Sequence, residues 1–279
     1  MADYRTTIGN VEIASLSDGR LRFATSDFFP DIEAKQWDAY RSDLSPEGDL
    51  LMNMGCFLLH SDGKTVLVDT GLGLKSYDLD VLETGLLHDE FRAKGINPDD
   101  VDMVMITHLH RDHVGWNFTP DGDCWRPTFP NAKYYVSETD WRIFTRRAGM
   151  ERFSYIKEQV LPLQDLGLLE LMDGEQILTS ELTAIPTPGH TPGHTSLLIS
   201  SSGAKAIIVG DASHVPAQVQ ETHWSPRADS KPDVSAETRK KLMDRIEADN
   251  AVLVSGHYPA PGYGRLVRLE GRRYWKALD

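Results

Sequence analysis

Four side chains able to bind a metal stand within six residues of one another, His108, His110, Asp112 and His113, in the order H-x-H-x-D-H. They follow the apolar run 101–106, which reads as a buried strand. A chain that leaves a strand in a turn can point alternate side chains into one pocket. His108 and His110 could then meet one cation while Asp112 and His113 meet its neighbour. Imidazole nitrogen and carboxylate oxygen are good ligands for zinc, iron or manganese. The motif predicts a catalytic two-metal site whose remaining ligands come from elsewhere in the chain.

Candidates stand at three further strand ends. The turn 188–194, P-G-H-T-P-G-H, presents His190 and His194; the apolar run 206–210 stops on Asp211; the run 251–256 stops on His257. In an open α/β sheet, ligands collect at the carboxyl ends of strands. One histidine at a strand end is more often structural, and Asp211 alone could cap a turn. The clustered motif differs, because burying so many polar groups without a shared partner would be costly.

Residues 11–16, 54–60 and 65–69 read as early strands, with Asp62-Gly63 as the hairpin turn between the last two. Leu79, Leu82, Leu86 and Leu87 stand at helical spacing and predict a helix over 79–94, stopped by Gly95. Helical segments are expected through much of 137–160, with Ser137 or Asn131 as boundary residues. Strands follow near 183, 196, 205 and 251, and a last helix spans 235–248, opened by Ser235 and burying Leu242 and Ile246. Residues 66–69 and 207–211 share a pattern, an apolar strand ending on an acid, so the two halves look alike in design. Without a low-complexity linker, 1–279 reads as one domain. The irregular stretch 20–50 is either a lid beside the site or a surface connection.

These landmarks resemble those of the metallo-β-lactamase superfamily: L-V-D-T-G at 67–71, H-x-H-x-D-H, P-G-H at 188–190, G-D at 210–211 and S-G-H at 255–257, in the family's order. The resemblance implies an αββα sandwich, an α/β fold with a bimetallic site at the sheet edge. It assigns His108, His110 and His190 to one metal, Asp112, His113 and His257 to the other, and Asp211 to both. It also makes Asp69 the acid that orients a ligand histidine. Of the two histidines in the 188–194 turn it selects His190, leaving His194 a supporting or structural role.

Composition narrows the activity. A formal net charge of −13 argues against a nucleic-acid partner. Two cysteines, Cys56 and Cys124, make neither a disulfide framework nor a zinc pair and suggest a reducing compartment. No run of about 18 apolar residues spans a membrane, and the start does not look like a signal peptide; a cytoplasmic protein is expected. The short stretch after His257 leaves little room for the helical domain of glyoxalase II-like thioesterases or for an appended flavin domain.

The motifs are similar to those of the methyl parathion hydrolase and lactonase branch. That similarity implies two divalent ions, zinc first and manganese, iron or cobalt acceptable, which would lower the pKa of a shared water toward about 7 so that a bridging hydroxide could attack an electrophilic centre. A small lactone or aryl ester is the expected substrate, with phosphotriester hydrolysis as the alternative and a catalytically retired ligand-binding protein as a third. Asp112 would hold metal and shuttle a proton. His214 is the candidate oxyanion contact, where several N-acyl-homoserine lactonases carry tyrosine. Trp116, Phe118, Trp224, Tyr258 and Tyr263 are candidates for an aromatic pocket, and a homodimer is common among similar proteins.

Overall fold

The apolar runs form strands buried on both faces, and their alternation sorts side chains between two layers. Val66 and Val68 point to one cluster and Leu67 to another; Ala206 and Ile208 oppose Ile207, and Val252 and Val254 oppose Leu253. The inner set, with Ile13, Phe57, Leu197 and Ile199, is the core between two sheets. The outer sets pack against helices: Leu67, Val104 and Ile106 on Trp141, Phe144 and Ile156, and Ile207 and Leu253 on Leu242, Met243 and Ile246. The result is the αββα sandwich. The computed structural model describes residues 3–75, 79–122 and 124–278.

The first sheet runs in the order Arg5–Ile8, Val11–Ala24, Asp49–Ser61, Lys64–Val68, Met103–Met105, Lys133–Ser137, Leu169–Met172, with Val81–Thr84 also paired to Val11–Ala24. The second runs Gln176–Ile177, Leu182–Pro186, Thr195–Ser201, Ala204–Ile208, Val252–Val254, Tyr263–Leu269, Arg272–Ala277. Both halves repeat one plan. A hairpin ends in Lys64–Val68 or Ala204–Ile208, and each of these takes a parallel neighbour, Met103–Met105 or Val252–Val254. The turn at Asp62-Gly63 has positive φ at both residues, 52° and 70°, as a two-residue hairpin with right-handed twist demands.

Three expectations need correction. Residues 79–94 are not one helix: Val81–Thr84 is an edge strand, Gly85 turns the chain at φ 80°, and the helix is confined to Leu87–Ala93. Leu82 is exposed, so the leucine spacing never served a buried face. The last helix begins at Pro232 rather than Ser235. Proline's fixed φ suits a first turn, while buried Ser235 accepts a hydrogen bond from Arg239 instead of capping. The stretch 20–50, expected to be irregular, holds strand residues through Ala24, a one-turn helix Thr25–Phe28 and a 3₁₀ segment Ala34–Asp43. Phe29, Trp37 and Tyr40 from this stretch pack with Trp224 in a buried aromatic cluster. Both cysteines are free, Cys56 buried and Cys124 exposed. Among the described residues no helix is long and apolar enough to cross a membrane.

Candidate metal centre

Strand ends deliver the site. His108 and His110 leave Met103–Met105, and Asp112 and His113 follow on the one-turn helix Arg111–Val114. The loop after Leu182–Pro186 brings His190, the turn Gly210–Ala212 after Ala204–Ile208 brings Asp211, and the loop after Val252–Val254 brings His257. Ligand atoms of His108, His110, His190 and Asp211 lie within 4.8 Å of one another, as do those of Asp112, His113 and His257. A third grouping joins Asp211, His214 and His257.

The Asp211 carboxylate divides between the groups. Its Oδ2 is 3.2 Å from His190 Nε2 and 3.6 Å from His108 Nε2, while Oδ1 is 3.2 Å from both His113 Nε2 and His257 Nε2. Asp112 Oδ2 lies 3.6 Å from His257 Nε2 and 3.8 Å from His113 Nε2. Ligands held ~2.0–2.1 Å from a tetrahedral cation stand about 3.3 Å apart, so these spacings fit metal ions. His108 Nε2, His113 Nε2 and Asp211 Oδ1 are buried without a hydrogen-bond partner. Such orphans are expensive unless something shared satisfies them, and a cation does.

Three of the imidazoles are fixed from behind. Asp69 Oδ2 is 2.7 Å from His113 Nδ1 and also accepts the Thr107 hydroxyl, and the Asn53 carbonyl is 2.8 Å from His257 Nδ1. Asp229 Oδ1 is 3.0 Å from His190 Nδ1. Its other oxygen meets Arg239 Nη2 at 3.2 Å, and this fully buried guanidinium also donates to the carbonyls of Ala212, Thr222 and Trp224. Asp229 and Arg239 were not legible as site residues, because they stand far from His190 in sequence and lack any motif. Asp140, buried, accepts from the Gly193 amide and the Thr191 hydroxyl and so pins the His190 turn.

His194 does not join the ligand groups. Its Nε2 accepts the Asp211 amide at 3.0 Å, and its Nδ1 donates to the Thr187 carbonyl at 3.1 Å. Burial pushes its pKa down to about 3, so the ring stays neutral in this role. Gly210 makes room: with φ at 52°, a Cβ there would fall 2.7 Å from His194 Nε2.

Burial opposes charge on Asp211, yet His113 and His257 hold its carboxyl well below the usual range. Burial also pushes His113 down, but Asp211, Asp69 and Asp112 outweigh it and raise the imidazole well above its ordinary value. His214 goes the other way: burial pushes it down to about 4 despite Asp211 Oδ2 lying 3.1 Å from its Nε2. Its ring lies parallel to that of His257, 8° between planes, and meets Phe28 edge-on.

The cluster floors a cavity of about 350 Å³ lined by Phe23, Phe28, Met52, Phe153, Tyr155 and three arginines, among others. The aromatic pocket therefore exists with different members. Trp224, Tyr258 and Tyr263 are core residues, and Trp116 and Phe118 line a separate hollow. Nearness in sequence to a ligand does not set which face of a layer a side chain takes.

Fold and site together define a metal-dependent hydrolase. The family model of the metallo-beta-lactamase superfamily matches residues 56–257, and the chain belongs to that superfamily. It is similar to the N-acyl homoserine lactonase AiiA of Bacillus thuringiensis subsp. kurstaki, 25% identical over 232 residues, covering 77% of this chain and 85% of AiiA. The crystal structure of hydrolase AbOPH in the beta lactamase superfamily superposes with a TM-score of 0.85 at 25% identity, over 100% of this chain and 98% of that one. AidC, a dizinc quorum-quenching lactonase solved with a product, has the same fold, with a TM-score of 0.83 at 22% identity, over 100% of this chain and 98% of AidC.

Proposed function

We propose that this chain is a two-metal hydrolase that opens a small lactone or cleaves an aryl ester. His108, His110 and His190 would hold one divalent ion, Asp112, His113 and His257 the other, and Asp211 both. Zinc is the first choice, and manganese, iron or cobalt suit the same donors. The observation that carries the reading is the division of the Asp211 carboxylate, one oxygen toward His108 and His190, the other toward His113 and His257.

When bound, the cations supply Lewis acidity, polarising a carbonyl and making water nucleophilic near neutral pH. The chain's own groups do the rest. Asp69, Asp229 and the Asn53 carbonyl lock the imidazoles of His113, His190 and His257 in one orientation. Asp112, lining the cavity, carries the proton from the attacking water toward the departing alkoxide. His214, kept neutral by burial, stands in the wall with Nε2 3.1 Å from Asp211 Oδ2, and its N–H there would turn from that carboxylate to the substrate carbonyl oxygen. Phe23, Phe28 and Met52 shed water from the substrate's apolar part.

The names of AiiA and AidC favour a lactone over an aryl ester. The same reading takes 1–279 as one catalytic domain of a cytoplasmic enzyme. A proton-release assay on metal-loaded protein, run with lactones, aryl esters and an aryl phosphotriester, tests it. Chelator-sensitive turnover of a lactone or ester is expected. Turnover confined to the phosphotriester would replace the substrate class, and silence on all three with both metals bound would sink the hydrolytic reading.

A further inference from the structure

Three arginines from three separate segments line the cavity that holds the histidines, Arg152 and Arg227 at its exposed rim. Arg111 opens the one-turn helix of the metal motif, Arg152 closes the helix Arg147–Arg152, and Arg227 stands two residues before Asp229. Arg152 places its guanidinium 4.9 Å from the Phe153 ring centre, and the Arg227 amide donates to the Phe28 carbonyl at 2.9 Å. Among the described residues, Arg152 and Arg227 have no carboxylate partner. The chain carries 42 acidic side chains against 29 basic ones. Yet among the described lining residues the carboxylates are Asp112 and Asp211, both directed at the histidines. The rest of the wall is largely apolar, with Leu21, Phe23, Phe28 and Met52.

Cationic groups over a low-dielectric wall focus the field on a bound anion. A guanidinium fork matches a carboxylate better than any other side chain does. We propose that the substrate is amphipathic: an ester or lactone whose apolar body ends in a carboxylate, bound by Arg152 and Arg227 while the reacting carbonyl lies at the histidine cluster. This rests on the hydrolytic reading above and narrows it to a substrate class. The arginines act on binding, so their contribution falls in KM rather than in kcat.

The test compares two esters that differ only at the far end of the acyl chain, 4-nitrophenyl hexanoate and the mono-4-nitrophenyl ester of adipic acid. With metal-loaded full-length protein, kcat/KM should favour the adipate ester. That preference should shrink roughly tenfold in Arg152→Ala or Arg227→Ala, through KM, and fall with added salt. A ratio that neither substitution nor salt changes overturns the proposal. Calorimetry with adipate and hexanoate keeps the question open to measurement even where no ester is cleaved, since each has one carboxylate for the cluster and adipate has a second. Tighter adipate binding that is lost in the arginine variants supports the anionic subsite although hydrolysis has failed. Equal affinities refute the subsite even where the neutral ester is turned over.

Discussion

Arg239 Nη2 sits 3.2 Å from Asp229 Oδ2, and the other oxygen of that carboxylate lies 3.0 Å from His190 Nδ1. A helix on the outer face of the second sheet is thereby wired to a candidate metal ligand. Burial opposes the Asp229 charge, but His190 and Arg239 hold its pKa down at about 2. Replacing Arg239 by Met would strand a buried carboxylate oxygen and release the Ala212 and Thr222 carbonyls, while the Trp224 carbonyl keeps Gln218. A loss of about 3–5 kcal/mol is expected, read as a lower midpoint in urea unfolding. An unchanged midpoint would show that the network adds nothing.

His190→Ala and His194→Ala should part company, although the two residues share one turn. The first removes a candidate ligand, and metal content should fall from two ions per chain. The second strips the acceptor from the Asp211 amide, costing about 1–3 kcal/mol while both ions stay. Metal analysis of the two purified variants decides it, and the reverse pattern would exchange the two roles.

Asp211→Asn keeps the size of the side chain and removes its charge. Turnover should drop on the order of 10⁴-fold, the scale seen when one member of a catalytic unit is lost, with the circular dichroism of a folded protein. Activity near wild type would remove Asp211 from the centre of the mechanism.

Metal uptake should release protons. In the metal-free protein, burial pushes His190 down, but Asp211 and Asp229 raise it to about 9. A cation needs the neutral imidazole. Below about 9 the His190 proton competes with the metal, so apparent affinity should climb with pH through that range, by up to about tenfold per unit for each proton expelled. Calorimetry in buffers of different ionisation enthalpy counts those protons. Affinity that is flat from about pH 6 to about 9 would contradict the raised His190.

Local signals made much of the architecture readable. Val66-Leu67-Val68 and Ala206-Ile207-Ile208 are apolar on both faces because each strand lies between a helix layer and the opposite sheet. Asp62-Gly63 has the chemistry that its turn requires. His108, His110, Asp112 and His113 share a short stretch, so their convergence could be read from spacing. What hid was long-range. Asp229, Arg239 and the Asn53 carbonyl reach the histidines only after the sheets have packed. The misread helix over 79–94 had the right period, but Gly85 and the free edge of Val11–Ala24 favoured a strand. Phe23, Phe28 and Phe153, which line the cavity, stand far from the metal motif in sequence, so nothing local tied them to it.

The repeated plan of the two sheets carries one more consequence. The first sheet's loops bring His108, His110, Asp112 and His113, and the second sheet's bring His190, Asp211 and His257. Severed between Leu169–Met172 and Gln176–Ile177, the chain would yield two fragments, each with half a coordination sphere and one naked sheet face. If the proposed ligands hold metal, reassembly of such fragments would couple hydrophobic docking to ion capture, and a divalent ion would serve as the adhesive that reports their reunion.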